Sequence, residues 1–103
     1  MPKSNIVMIN RQLEKVIPFF LEETSKDFEK LKVHISNKNA SEISHIAHSL
    51  KGDCGSYGFS ELSLIAEQLE NAAKSRDFDQ ADYFVSKMEF YLKNVSIQFE
   101  QVA

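Results

Sequence analysis

The sequence predicts an all-α fold: an antiparallel up-down-up-down four-helix bundle with a short extra helix at the N-terminus. Apolar residues recur at three- and four-residue spacing along most of the chain, and no stretch alternates convincingly as a half-buried strand should. The breaks between periodic stretches are short, which makes consecutive helices antiparallel neighbours. With 103 residues, 43% of them hydrophobic, the chain suits one domain, 1–103, that buries roughly two-thirds of its unfolded surface.

Taken in order, Ile6, Ile9 and Leu13 suggest the short leading helix. Leu13, Val16, Ile17, Phe20, Thr24, Phe28, Leu31 and Ile35 then mark a long amphipathic helix ending near Asn37-Lys38-Asn39. Pro18, near its start, either begins the regular part or kinks it. Asn39 with Glu42 three residues later resembles a capping arrangement that satisfies open amides of a second helix. That helix carries Ile43, Ile46, Ala47, Leu50, Cys54 and Tyr57 on one stripe and stops at Gly58, where glycine enters the left-handed region at little cost.

Ser60 is placed to cap a third helix with Leu62, Ile65, Ala66, Leu69, Ala72 and Ala73 inward and Arg76-Asp77 at its exit. A fourth helix follows from Ala81, Phe84, Val85, Met88, Leu92, Val95, Phe99 and Val102. On its other side Tyr83, Phe90 and Ile97 repeat every seven residues, packing on the N-terminal segment or serving a partner.

Composition excludes more than it selects. Twelve Lys and Arg against 15 Asp and Glu leave a formal net charge of −3, which does not support nucleic-acid binding. Apolar runs are too short to span a bilayer and the N-terminus lacks a secretory pattern, so a cytoplasmic location is expected. Cys54 is the only cysteine, which rules out an internal disulfide and reads as a small buried hydrophobe. No internal repeat is found.

All three glycines, Gly52, Gly55 and Gly58, follow closely on His48. A glycine inside a helix costs about 1 kcal/mol relative to alanine, so the cluster needs a reason. At about 100° per residue, His48 points away from the apolar stripe, with Gly52 one turn on and Gly55 and Ser44 to one side. An exposed imidazole ringed by small residues lets a second macromolecule approach closely. Lys51, within reach of the ring, supplies positive charge. A neutral imidazole is nucleophilic near neutral pH, so the group points to transfer of an anionic group, with phosphorus as the natural electrophile. His45 lies on nearly the same face, but no third or fourth ligand converges in sequence to make the pair a metal site. Glu70 borders the histidine helix closely enough to accept the ring N–H and make the other nitrogen more basic.

The segment His48-x-Leu50-Lys51-Gly52, with Gly58 ten residues after the histidine, resembles histidine-containing phosphotransfer domains, and the pattern continues through Leu62 and Leu69-Glu70. The resemblance implies that His48 is the phosphorylated residue, that Lys51 stabilises the phosphoryl group, and that Gly52 and Gly58 keep the approach open and shape the helix end. Glu70 stands where many members carry a glutamine that hydrogen-bonds the imidazole, as in the variant of chemotaxis histidine kinases. The function so implied is that of a phosphorelay intermediate, which exchanges a phosphoryl group with the aspartate of a response-regulator receiver domain or receives it from a histidine kinase. It is not an enzyme by itself. The chain has no Walker-type nucleotide loop and no acidic cluster for magnesium, so no cofactor of its own is expected and magnesium belongs to the receiver. A monomer is expected. The rival reading is a helical interaction module without phosphotransfer, disfavoured because a pure scaffold would gain stability by replacing Gly52 with alanine.

Overall fold

The end of each of the first three helices is built in the same way. Asn39, Phe59 and Asp77 each donate their backbone N–H to a carbonyl five residues back, at 2.8, 2.8 and 2.9 Å, and the residue before each is left-handed: Lys38 and Arg76 at φ 55° and Gly58 at φ 95°. These closures set the helix limits in the computed structural model, which describes residues 5–101. The helices are α1 Ile17–Ser36, α2 Ala40–Ser56, α3 Ser60–Lys74 and α4 Phe78–Asn94. Each packs on the next in the chain, and α1 also packs on α4.

The inward stripes fall largely as the apolar spacing predicts. Ile17, Phe20, Thr24, Phe28 and Leu31 are buried on α1; Ile43, Ala47, Leu50 and Cys54 on α2; Leu62, Ile65, Ala66, Leu69, Ala72 and Ala73 on α3. On α4 the buried residues are Ala81, Val85, Met88 and Tyr91, with Phe84 and Leu92 half-buried. Burial pushes the Cys54 thiol up to about 12, helped by Asp53 and Asp27, so it is protonated and inert at neutral pH. Pro18 sits in the first turn of α1, where its missing N–H breaks no bond. Asn39 caps α2 by accepting from the Glu42 amide, and Asp77 caps α4 through Gln80. Ser60, expected to cap α3, is instead its first helical residue. Phe59 holds the cap position without a side-chain bond, its ring buried and stacked on Phe20 with centroids 5.3 Å apart. Packing outweighs capping there.

The two ends of the chain depart from the expected all-helical pattern. The short N-terminal helix is replaced by a strand, β1 Asn5–Ile9, followed by a single 3-10 turn at Arg11–Leu13. The fourth helix stops at Asn94, and Val95–Phe99 form β2, which pairs in parallel with β1 from Asn5↔Val95 to Ile9↔Phe99. Glu100 N–H donates to the Ile9 carbonyl at 2.9 Å and Arg11 Nε to the Glu100 carbonyl at 2.9 Å, extending the pairing past the strands. Parallel strands need a long crossover, and here the four helices provide it. The physical reason for the difference is visible at Met88, Leu92, Val95 and Phe99, whose spacing fits a helix, while Val95, Ile97 and Phe99 equally fit a strand. Ile97 therefore lies on β2, half-buried, and does not extend a helical stripe with Tyr83 and Phe90, which are exposed on α4. Val102 lies outside the described residues.

β1 also explains one glycine. A side-chain carbon on Gly58 would sit 3.1 Å from Ile9 Cδ1, and its positive φ already disfavours one. Ile9 is fully buried against this end of α2.

Candidate functional site

His48 stands on α2, opposite its buried stripe, with 72% of its side chain exposed. One ring nitrogen is nevertheless engaged: Nδ1 lies 3.1 Å from Glu70 Oε2 on α3. Glu70 is buried among the core residues Leu69 and Ala73 of the same helix, with only 10% of its side chain exposed. An ionised carboxylate can only accept, so in the neutral ring this bond places the proton on Nδ1 and leaves Nε2 as the unprotonated, outward nitrogen. A nucleophilic lone pair thus faces solvent.

Burial raises the affinity of the Glu70 carboxyl for its proton, but Lys74 and then His48 outweigh it and hold the group below the ordinary carboxylate range. The Lys74 ammonium lies one turn on, 3.4 Å from Oε2, the same oxygen that receives His48.

Lys51, three residues after His48, does not stand alone. Its Nζ is 2.8 Å from Glu67 Oε2 on α3, and that partner raises its pKa, so the charge is present at all working pH values. Both groups are well exposed, so the pair is weak and open to exchange for a stronger anion. Ser63 Oγ donates to the Lys51 carbonyl at 2.7 Å, tying α3 to the middle of α2.

The glycines divide by surroundings. A side-chain carbon at Gly52 would meet nothing within 4 Å, so that side of the ring is open. At Gly55 it would lie 3.5 Å from Ser63 Oγ, an ordinary contact with α3. Ser44 is half-buried one turn before His48, and a shallow groove runs there between Ala40, Ser41, Ser44, Ala73, Lys74 and Arg76. His45 is exposed. Among the described residues, no three His, Cys, Asp or Glu side chains cluster as a metal site. No helix among them is long and apolar enough to cross a membrane.

Residue reading missed Lys74 and the engagement of Lys51 with Glu67. The signal for Lys74 was present: Glu70 and Lys74 are an i,i+4 acid-base pair in the favourable order on one helix. The cross-helix partner of Lys51 had no such signal, because it depends on how α3 lies against α2.

Neither the curated proteins nor the solved structures hold a match to this chain. The family comparison is positive, and it covers most of the chain: residues 15–101 match the model described as the Hpt domain. The match starts two residues before α1 and runs past β2, so it includes the imidazole, its buried carboxylate and both lysines. The chain belongs to the Hpt domain family, the phosphocarrier modules of phosphorelays.

Proposed function

We propose that this domain is a phosphorelay intermediate in which His48 Nε2 accepts a phosphoryl group from the aspartyl phosphate of a receiver domain, and returns or passes it by the reverse step. The observation that carries the reading is the exposed His48 ring, bonded through Nδ1 to the buried Glu70 with its other nitrogen outward. In the forward direction the Nε2 lone pair forms the N–P bond while the P–O bond to the partner's carboxylate breaks, and the electron pair leaves with that carboxylate. The Nδ1 proton stays in its bond to Glu70, whose charge offsets the positive phosphoimidazolium ring. Lys51 exchanges Glu67 for the phosphoryl oxygens, which bring about two negative charges.

The open side at Gly52 is the approach for the partner, together with Ser44 and Gly55, while Gly58 shapes the helix end. The chain acts as one carrier domain and not as an enzyme, with helices alternating in direction, and magnesium and the remaining catalytic groups come from the receiver or kinase. We place it in the cytoplasm as a monomer.

The test is to incubate the protein with a phosphorylated receiver domain and locate the group by mass spectrometry under non-acidic conditions. Acid-labile, alkali-stable phosphate on His48 is expected. Phosphate on His45 would overturn the site, and none at all would leave a helical interaction module.

A further inference from the structure

Glu70 occupies an awkward position for a charged group, because its helix otherwise turns Leu69, Ala72 and Ala73 inward beside it. A buried carboxylate needs partners to stay ionised. Three charged or titratable groups face it: His48 and, more distantly, Lys51 from α2, and Lys74 from its own helix. Only His48 and Lys74 touch it, and both reach Oε2, at 3.1 and 3.4 Å. The imidazole cannot hold Glu70 in place unaided, since it is the group that Glu70 must orient. The lysine, being exposed over most of its length, is free to follow the carboxylate and hold it from the solvent side.

We propose that Lys74 is a positioning residue of this site: by anchoring the shared Glu70 oxygen it keeps that carboxylate turned toward α2, so that His48 presents Nε2 outward. The inference rests on the phosphotransfer reading for its kinetic consequence, but its geometric part stands independently. Lys74 bonds Glu70 and not the imidazole, so its effect on the ring runs through Glu70.

The experiment uses the full chain with Lys74→Met, Lys74→Arg, Glu70→Gln and the Glu70→Gln/Lys74→Met double variant, all checked for helicity. Nitrogen-15 NMR of the imidazole reads the ring tautomer without any phosphotransfer. In the wild-type protein Nδ1 should be the protonated nitrogen; Lys74→Met should shift the ring toward a tautomer mixture, and Lys74→Arg should restore it. A carbon-13 titration should show the Glu70 carboxyl rising on Lys74→Met. Phosphoryl acceptance should fall about fivefold, the scale of coupling between touching groups. In the Glu70→Gln background, Lys74→Met should cost nothing more. An unchanged tautomer and titration in Lys74→Met overturn the proposal, as does an equal loss of acceptance with and without Glu70, which would mark Lys74 as a docking contact. If the wild-type protein takes no phosphoryl group, the functional reading fails, and the two NMR readouts still decide the role of Lys74.

Discussion

The α2–α3 face around His48 and the β1–β2 pair at the chain ends are built on opposite plans. The face sets polar groups on a surface: an exposed ring, open space beside Gly52, a weak Lys51–Glu67 pair, and one buried carboxylate. The strand pair is packing with no chemistry in it, holding Ile9 fully buried beneath Gly58 and tying residue 11 to residue 100. On the proposed function the contrast separates phosphotransfer from stability, and substitutions in the two regions should fail in different ways.

The largest separation is expected at His48. His48→Gln should abolish phosphoryl acceptance, while stability falls by no more than about 1 kcal/mol, the net worth of one hydrogen bond, since Lys74 still holds the Glu70 carboxylate. Acceptance is read by transfer from a phosphorylated receiver and stability by urea melts; phosphate retained by the variant would break the comparison on its functional side.

The reverse should hold at Ile9. Ile9→Ala removes a buried side chain from between β1 and α2 and should cost about 2–5 kcal/mol, depending on how far the strand pair can close around the cavity. The folded fraction should still accept phosphate at the wild-type rate, because His48 stands about three helical turns from Gly58. A stable Ile9→Ala protein would mean that the strand pair is decoration on the bundle.

Gly52→Gln probes the middle ground. A side chain there meets no protein atom, so helicity should hold and stability rise by up to about 1 kcal/mol through helix propensity. Transfer should nevertheless slow on the order of tenfold, since displacement of a docked partner by even an ångström is costly to in-line chemistry. Stopped-flow transfer at wild-type speed, with helicity intact, would remove the steric reason for this glycine.

The same division governs what was legible in the residues alone. The His48, Lys51, Gly52 and Gly58 pattern is local, so residue type and spacing suffice to put these four residues on one helix and its end. Glu70 was within reach because the inward stripe through Leu69 puts its neighbour at the edge of the core. The strand pair was not, because Val95–Phe99 has a pattern compatible with either period and its partner lies 90 residues away at Asn5–Ile9. Nor was the Lys51–Glu67 pair, which depends on the relative placement of two helices. Ser60 shows a third limit, since a good capping residue lost to the burial of Phe59 next to it.

The smallest expected effect sharpens the comparison by asking whether the α2 end is special. Three helix ends share one backbone closure, yet only α2 has glycine at the left-handed position; α1 and α3 use Lys38 and Arg76. At Gly58 two constraints coincide, the positive φ and the 3.1 Å approach of Ile9 Cδ1. Lys38 meets only the first. Replacing it with glycine removes the strain of a side chain at φ 55° and adds flexibility to the unfolded chain, two effects of opposite sign and similar size. The strain is the larger, so Lys38→Gly should raise stability by about 0.5 kcal/mol, read as a shifted urea midpoint at constant slope. Gly58→Ala should do the opposite and cost more, since alanine would meet both constraints. If the two variants shifted stability by equal and opposite amounts, backbone conformation alone would account for Gly58 and the contact with β1 would add nothing.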